Sequence, residues 1–344
     1  MSEQAVDTSV SSAAAAGPAG PVRHFLAPLL DFLAYEDTNE VCVNEPGVVF
    51  VERHGAITRH EVPELTLEHL EGLARLIASF NDQRIDETQP LLSGTLPDGE
   101  RVQVVMPPAV EPGTVVLAIR KPSVLDRTLD DYEAEGAFES VEVRNQGLPE
   151  ADRELLDCLN GGDYSAFIRR AVQLRKNIVV SGGTSTGKTT FTNALLKEIP
   201  ADERLITIED AREVRIANPN RVHLLYSKGD QGTAQLTPAD LIVACLRLRP
   251  DRILLSEVRS TEALDFLEAV GSGHPGSITT VHADSPQEAV SRLAREIMKA
   301  GTVMKREEIV ADIYAVIDVI VQLKRVGGRR VVTEVFYDPE RKLG

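Results

Sequence analysis

The sequence predicts an α/β protein of two domains, a C-terminal domain built on a mostly parallel sheet and a smaller α+β domain before it. Three observations predict this. Beyond about residue 150, apolar β-rich runs (NIVVSGG, RLITIED, RVHLLYS, RILLSEV, SITTVHA, AVIDVIVQL, RVVTEVFY) are separated in most cases by helical stretches. Their apolar residues run continuously rather than alternating, as in a sheet covered on both faces. One of these runs leads directly into SGGTSTGKTT, so a strand, a glycine-rich turn and a helix follow one another. Finally, 344 residues are enough for two separate cores.

Taken in order, residues 1–21 are rich in Ser, Ala, Gly and Pro and bury too little apolar surface to order themselves; they read as a flexible tail. Residues 22–120 form the N-terminal domain. There FLAPLLDFL, from Phe25, has a helical pattern, and EVCVNEPGVVFVER holds two alternating runs around a Glu-Pro-Gly hairpin turn. Between Thr66 and Phe80, Leu67, Leu70, Leu73, Ala74 and Ile77 recur at helical spacing, and RVQVVMPPAV and GTVVLAIRKP read as two strands joined by a Pro/Gly turn. Residues 121–150, with Pro122, Pro149, two glycines and the acidic stretch from Asp126 to Glu139, suit a linker. Residues 151–344 form the C-terminal domain, in which Thr237-Pro238 and Ser285-Pro286 each place a capping hydroxyl before a proline at the first helical position.

The balance of 37 basic and 53 acidic residues gives a net charge of −16, a field that repels nucleic acid and argues against direct nucleic-acid binding. Cys42, Cys158 and Cys245 lie far apart, which suggests neither a disulfide framework nor a zinc ribbon and fits a reducing cytosol. No apolar run approaches the roughly 18 residues of a membrane span, and the N-terminus has an acidic start without the apolar centre of a signal peptide. Membrane attachment is expected to go through a partner.

Gly182, Gly187, Lys188 and Thr189 satisfy Gly-x-x-x-x-Gly-Lys-Ser/Thr. In that pattern glycines let consecutive backbone N–H groups converge on phosphate oxygens, the helix N-terminus adds its dipole, the lysine reaches the β and γ phosphates, and the hydroxyl takes one Mg²⁺ position. No Asn-Lys-x-Asp guanine reader is present, so ATP is the expected nucleotide. Glu209 and Asp210 end an apolar strand, where they either hold Mg²⁺ or cap the segment that follows. Glu257 ends another strand, placed either to orient water for attack on the γ-phosphate or simply to face solvent; Ser256 stands before it where many such motifs have aspartate. His274 and His282 flank the SITTV strand and either report on the γ-phosphate or are structural, a zinc site being disfavoured by their spacing of eight. Spacing does not decide whether Arg247, Arg249, Arg252 and Arg259 form surface ion pairs or line a nucleotide edge.

In this order, GGTSTGKTT, LITIEDAREVRI, LRLRPDRILLSEVRS and GSGHPGSITTVHA resemble the Walker A, Asp, Walker B and His boxes of secretion-superfamily traffic ATPases. With PLLSGTLPDGERVQVVMPPAVEPGTVVLAIRKPS upstream, the chain from about residue 22 to 337 looks most like the hexameric type IV secretion ATPases of the VirB type. The resemblance implies a RecA-like P-loop ATPase domain after the α+β domain. It implies that Gly182, Gly183, Thr184, Ser185, Thr186, Gly187, Lys188, Thr189 and Thr190 hold ATP, that Thr189 and Glu209 hold Mg²⁺, and that Glu257, Lys188 and His282 act in hydrolysis, with His274 a further candidate. Arg101 and Arg120 match arginines that reach the nucleotide from the N-terminal domain. Ser256 replaces the family's usual glycine, which implies altered packing. A homo-hexamer is implied, peripheral to the cytoplasmic face of the inner membrane, with other type IV secretion components as partners, including coupling and core-complex ATPases. The four-cysteine zinc module of type II and pilus-assembly motors is absent from the sequence. The expected function is an ATP-driven secretion motor; the alternatives are a pilus-retraction type of motor and a slow, nucleotide-gated docking platform.

Overall fold

The computed structural model describes residues 18–122, 127–141, 147–229 and 232–342; most of the expected N-terminal tail and parts of the expected linker lie outside the described residues. The chain divides into two compact units, one of residues up to 107 with 113–122, the other of 108–112 with the described residues from 127 onward.

The first unit begins with α1 (Ala19–Phe25) and α2 (Ala27–Ala34). The run expected as one helix is divided because Pro28, in the first turn of α2, has no N–H to continue a helix from before it. Strands β1 (Thr38–Glu45) and β2 (Val48–Arg53) form the expected hairpin, with Gly47 at φ +80° in its turn. They are followed by β3 (Ala56–Glu61), α3 (Leu67–Phe80), β4 (Leu91–Thr95), β5 (Arg101–Val105) and β6 (Val116–Arg120). The Thr66 hydroxyl caps α3 by accepting the His69 N–H at 3.2 Å, and the helix buries Leu70, Leu73, Ala74 and Ile77. The antiparallel sheet has the order β3-β2-β1-β6-β5-β4. Its two edge strands are the ones without a clear signal: β3 is largely exposed and polar, and β4 is short and contains Gly94.

The second unit contains α4 (Leu129–Ala134), a short helix within the expected linker that Thr128 and Asp131 close with a capping box. After it come α5 (Glu150–Asn160), α6 (Tyr164–Gln173), β7 (Ile178–Gly182), α7 (Lys188–Leu195), β8 (Leu205–Glu209), β9 (Arg221–Leu225) and α8 (Pro238–Leu246). The chain then runs through β10 (Arg252–Val258), α9 (Glu262–Gly271), β11 (Ile278–Val281), α10 (Pro286–Lys299), α11 (Arg306–Val316), β12 (Val319–Val326) and β13 (Arg329–Tyr337). The seven-stranded sheet has the order β13-β12-β7-β11-β10-β8-β9; every pairing is parallel except that of β12 with β13. All five residues of β7 and of β8 are buried, as continuous apolar strands require.

Leaving β7, the chain passes over β11 and β10 to reach β8, whereas β11 lies directly beside β7. Such a change of direction opens a crevice at the carboxyl ends of the strands. The opposite edge is clamped by Arg252, whose guanidinium donates to both oxygens of Glu203 at 2.6 and 2.8 Å and to Val172 O at 2.7 Å. Arg252 is therefore a buried structural ion pair, and Arg249 pairs with Asp251 at 3.1 Å. Among the described residues no helix is long and apolar enough to cross a membrane.

Candidate functional site

The turn between β7 and α7 lies at this crevice. Gly187 caps α7 at φ +92°, and Ser185 is also left-handed at φ 60°. Glycine is needed at 187 for this angle, and a Cβ there would stand 2.7 Å from Cδ of the Arg330 side chain. At Gly182 a Cβ would meet Thr186 Oγ1 at 2.5 Å and Leu323 O at 2.9 Å, so the backbone closes tightly on itself there. Thr186 Oγ1 donates to Gly183 O at 2.9 Å and pins the turn. The result is a bare backbone cradle in front of a helix N-terminus, the arrangement that suits a phosphate.

Lys188 donates from Nζ to Gly182 O at 2.9 Å and Gly183 O at 3.4 Å. Its pKa is lowered, chiefly by burial, with Arg259 and Arg292 adding to the effect and Glu257 opposing it. Lys188 shares a cleft of about 250 Å³ with Gly183, Ser185, Thr186, Gly187, Thr189 and Thr190 of the loop and with Glu257. Glu257 stands at the carboxyl end of β10, where its Oε2 accepts Arg259 Nε at 2.8 Å and NH2 at 2.6 Å. Its Oε1 has no hydrogen-bond partner among the described residues. Arg259 also donates through NH1 to Asp210 Oδ2 at 2.8 Å, and Lys228 pairs with the same oxygen. Burial would lower the Arg259 pKa, but the Glu257 and Asp210 contacts outweigh it and hold the guanidinium more strongly charged than usual. The question that spacing left open is thus answered for Arg259, which lines the cleft.

Glu209 is the residue whose placement departs most from expectation. It is 0% exposed, its Oε2 accepts the backbone N–H groups of Glu213 (2.9 Å) and Val214 (2.7 Å), and its Oε1 accepts Thr207 Oγ1 at 2.7 Å. His223 Nδ1 and Arg212 NH1 approach Oε1 at 3.5 Å. A carboxylate so fully engaged holds the segment after β8 in shape. The side chain brought to Thr189 is Glu213, whose Oε2 accepts the Thr189 hydroxyl at 3.3 Å. Glu209, expected beside the metal, is thus not among the residues that line the cleft; the acid beside Thr189 there is Glu213. A signal existed in the sequence, since LITIEDAREV carries three acids at a strand end, but spacing does not say which of them turns inward.

Burial pushes the Glu209 carboxyl up, yet hydrogen bonds from His223, Val214, Thr207 and Glu213 outweigh this and leave its pKa lowered. The stability Glu209 contributes is therefore complete above the ordinary carboxylate range and is lost as pH falls through its lower folded value. Glu209→Gln, which leaves an amide among donors, is expected to cost about 1–3 kcal/mol at neutral pH. Thermal melts against pH check this: the gap between wild type and variant should narrow in acid.

His282 follows β11, at the same end of the sheet as the loop, its Nε2 3.5 Å from Thr184 Oγ1; neither residue lines the cleft itself. His274 precedes the same strand and so lies at the opposite edge of the sheet, its Nδ1 against Ala269 O at 3.0 Å. Ser256 lines the cleft; its Oγ is buried without a partner, while its carbonyl accepts Thr280 Oγ1 at 2.8 Å. Arg101 and Arg120 are exposed cross-strand partners on β5 and β6 of the first unit. Two charged lining residues had no role in the sequence reading, Glu213 and Arg330.

The sequence model for the family described as Type II/IV secretion system protein matches residues 26–327. The chain is 44% identical to the type IV secretion system protein VirB11 of Brucella suis biovar 1 (strain 1330), over 98% of this chain and 95% of that protein. It is 42% identical to the type IV secretion system protein PtlH of Bordetella pertussis (strain Tohama I), over 91% of this chain and 94% of the relative. The crystal structure of the VirB11 ATPase from the Brucella suis type IV secretion system in complex with sulphate superposes with a TM-score of 0.89 at 45% identity, covering 94% of this chain and 99% of that one. The expected fold, an N-terminal α+β domain followed by a RecA-like ATPase domain, is the fold of this match.

Proposed function

The chain belongs to the type II/IV secretion system protein family, and from that premise we propose that it is a P-loop ATPase motor of a type IV secretion system, working as a homo-hexamer at the cytoplasmic face of the inner membrane. The observation that carries the reading is one cleft in which a bare glycine cradle, Lys188 and Glu257 come together. Relatives from type IV secretion systems that match nearly the whole chain support the secretion motor over the retraction motor and the docking platform.

The residues present fit ATP and Mg²⁺. Backbone N–H groups from Gly183 to Thr190 hold the phosphates, and the Lys188 ammonium moves from the Gly182 carbonyl toward the β and γ oxygens. The Thr189 hydroxyl and the Glu213 carboxylate would hold the metal, which would supply charge neutralisation at the phosphates. Glu257 orients the attacking water with Oε1 and accepts its proton, while Arg259 fixes the other oxygen. His282, reached through Thr184, responds to the γ-phosphate. The partners are other components of the secretion machine, including its coupling and core-complex ATPases.

The test is Mg²⁺-dependent ATP turnover by the purified chain, together with native mass with and without nucleotide. No hydrolysis under any condition would remove the motor reading, and a monomer under all conditions would remove the ring. A second measurement bears on the metal: Glu213→Gln should raise the Mg²⁺ concentration for half-maximal turnover about tenfold or more while leaving the melting temperature unchanged. An unchanged Mg²⁺ requirement would return the metal to other ligands.

A further inference from the structure

We propose that Arg330, on the C-terminal hairpin, is a phosphate-binding residue of the nucleotide site that grips the diphosphate portion shared by ATP and ADP. The inference rests on the nucleotide reading above and adds a residue that lies outside all four motif boxes.

The hairpin geometry puts Arg330 there. Strand β7 ends at Gly182, paired with Leu323 of β12, but β12 continues to Val326. The segment Lys324 to Val326, with its partners Arg329 to Val331 on β13, therefore projects past the end of the sheet beside the phosphate loop. A two-residue Gly327-Gly328 turn, at φ +57° and +81°, closes this arm and fixes its register, as left-handed glycines do in tight hairpins. Because side chains alternate along a strand, that register sends Arg330 and Arg329 to opposite faces. The Arg330 side chain lies over the loop, its Cδ 2.7 Å from where a Cβ on Gly187 would stand, and it lines the cleft with Lys188, Thr189 and Thr190.

Arg330 also lacks a partner. It makes no hydrogen bond or ion pair among the described residues, although Arg259 in the same cleft is held by two carboxylates. A chain of net charge −16 has placed an unpaired guanidinium against a phosphate cradle. A guanidinium offers five donors in a planar fork that matches phosphate oxygens. Its neighbour Gly187 belongs to the part of such loops that cradles the α and β phosphates, whereas Lys188 reaches the β and γ phosphates. Contact with the diphosphate predicts a role in holding nucleotide before and after hydrolysis, not in the cleavage step.

The experiment titrates fluorescent ADP and a non-hydrolysable fluorescent ATP analogue into the full-length chain and follows steady-state turnover. Arg330→Ala should weaken both nucleotides about tenfold and raise KM similarly, with kcat within about twofold of wild type. Arg330→Lys should recover part of the affinity, and Arg329→Ala, on the other face of the arm, should bind as wild type does. Melting temperatures of the variants show whether the hairpin remains folded. Wild-type ADP affinity in Arg330→Ala overturns the proposal. So does a fall in kcat at unchanged ADP affinity, which would place Arg330 at the γ-phosphate instead. Failure of the underlying reading looks different: the wild-type chain itself would then bind no nucleotide.

Discussion

Lys188→Ala is expected to lose nearly all ATP turnover, to below about 1% of wild type, while the chain stays folded. The amine has no structural bond that the fold needs. Its acceptors are two carbonyls of its own loop, Gly182 O and Gly183 O, and its half-buried position lowers its pKa chiefly through desolvation. Removing it lifts a desolvation cost from the folded state, so the melting temperature should hold or rise slightly. Function is affected differently, because among the described residues no other ammonium lines the cleft and the two guanidinium groups there are Arg259, tied to acids, and Arg330, over Gly187. A charge-assisted contact of this kind contributes about 1.5–3 kcal/mol, or roughly tenfold to a hundredfold in affinity, before any extra effect as negative charge shifts in the transition state. Phosphate release and fluorescent-nucleotide titration measure the two effects separately. A variant with normal turnover would show that the loop serves some other anion.

What the sequence makes legible and what it hides divides along local and non-local lines. The strand, turn and helix from Ile178 to Leu195 could be read because the motif is contiguous and its glycines have one physical use. The central strands of the second unit could be read because their apolar runs are nearly unbroken, and mostly exposed β13 because it is rich in valine and aromatic residues. Strands β3 and β4 could not, since an edge strand needs neither burial nor alternation to pair. Within the site, the acids after β8 show the limit. Glu209, Asp210 and Glu213 are alike in type and close in sequence, yet one is sealed inside, one is tied to Arg259 and Lys228, and one meets Thr189. His274 and His282 were separable in principle, because one precedes and the other follows the same parallel strand, and only the following end faces the cradle. Arg330 depends on the pairing of β7 with the β12–β13 hairpin more than 130 residues away, and local pattern carries no trace of that.

Glu257→Gln is expected to bind ATP as wild type does and to hydrolyse it about 10²–10⁴-fold more slowly. The substitution keeps the shape of the side chain. An amide oxygen in the place of Oε2 can still accept from Arg259, where the native contacts are 2.6 and 2.8 Å, so the end of β10 should not move. The amide group then occupies the place of Oε1, the oxygen that faces the cleft without a partner. An amide NH2 there can only donate to water, so it neither accepts the water's hydrogen nor takes its proton, and both orientation and general-base action are lost. Affinity should be preserved because Glu257 is not one of the groups proposed to grip phosphate; removing a negative charge near Lys188 should, if anything, tighten binding. The diagnostic result is therefore a variant that loads ATP and retains it, seen as unhydrolysed nucleotide on the protein after gel filtration. Comparison with Arg259→Ala separates proton acceptance from positioning. Arg259→Ala leaves the Glu257 carboxyl group in place but removes its anchor, so that variant should retain more turnover than Glu257→Gln. If Glu257→Gln instead turns over at the wild-type rate, the base is not Glu257, and Asp210, the other carboxylate bound by Arg259, becomes the residue to replace.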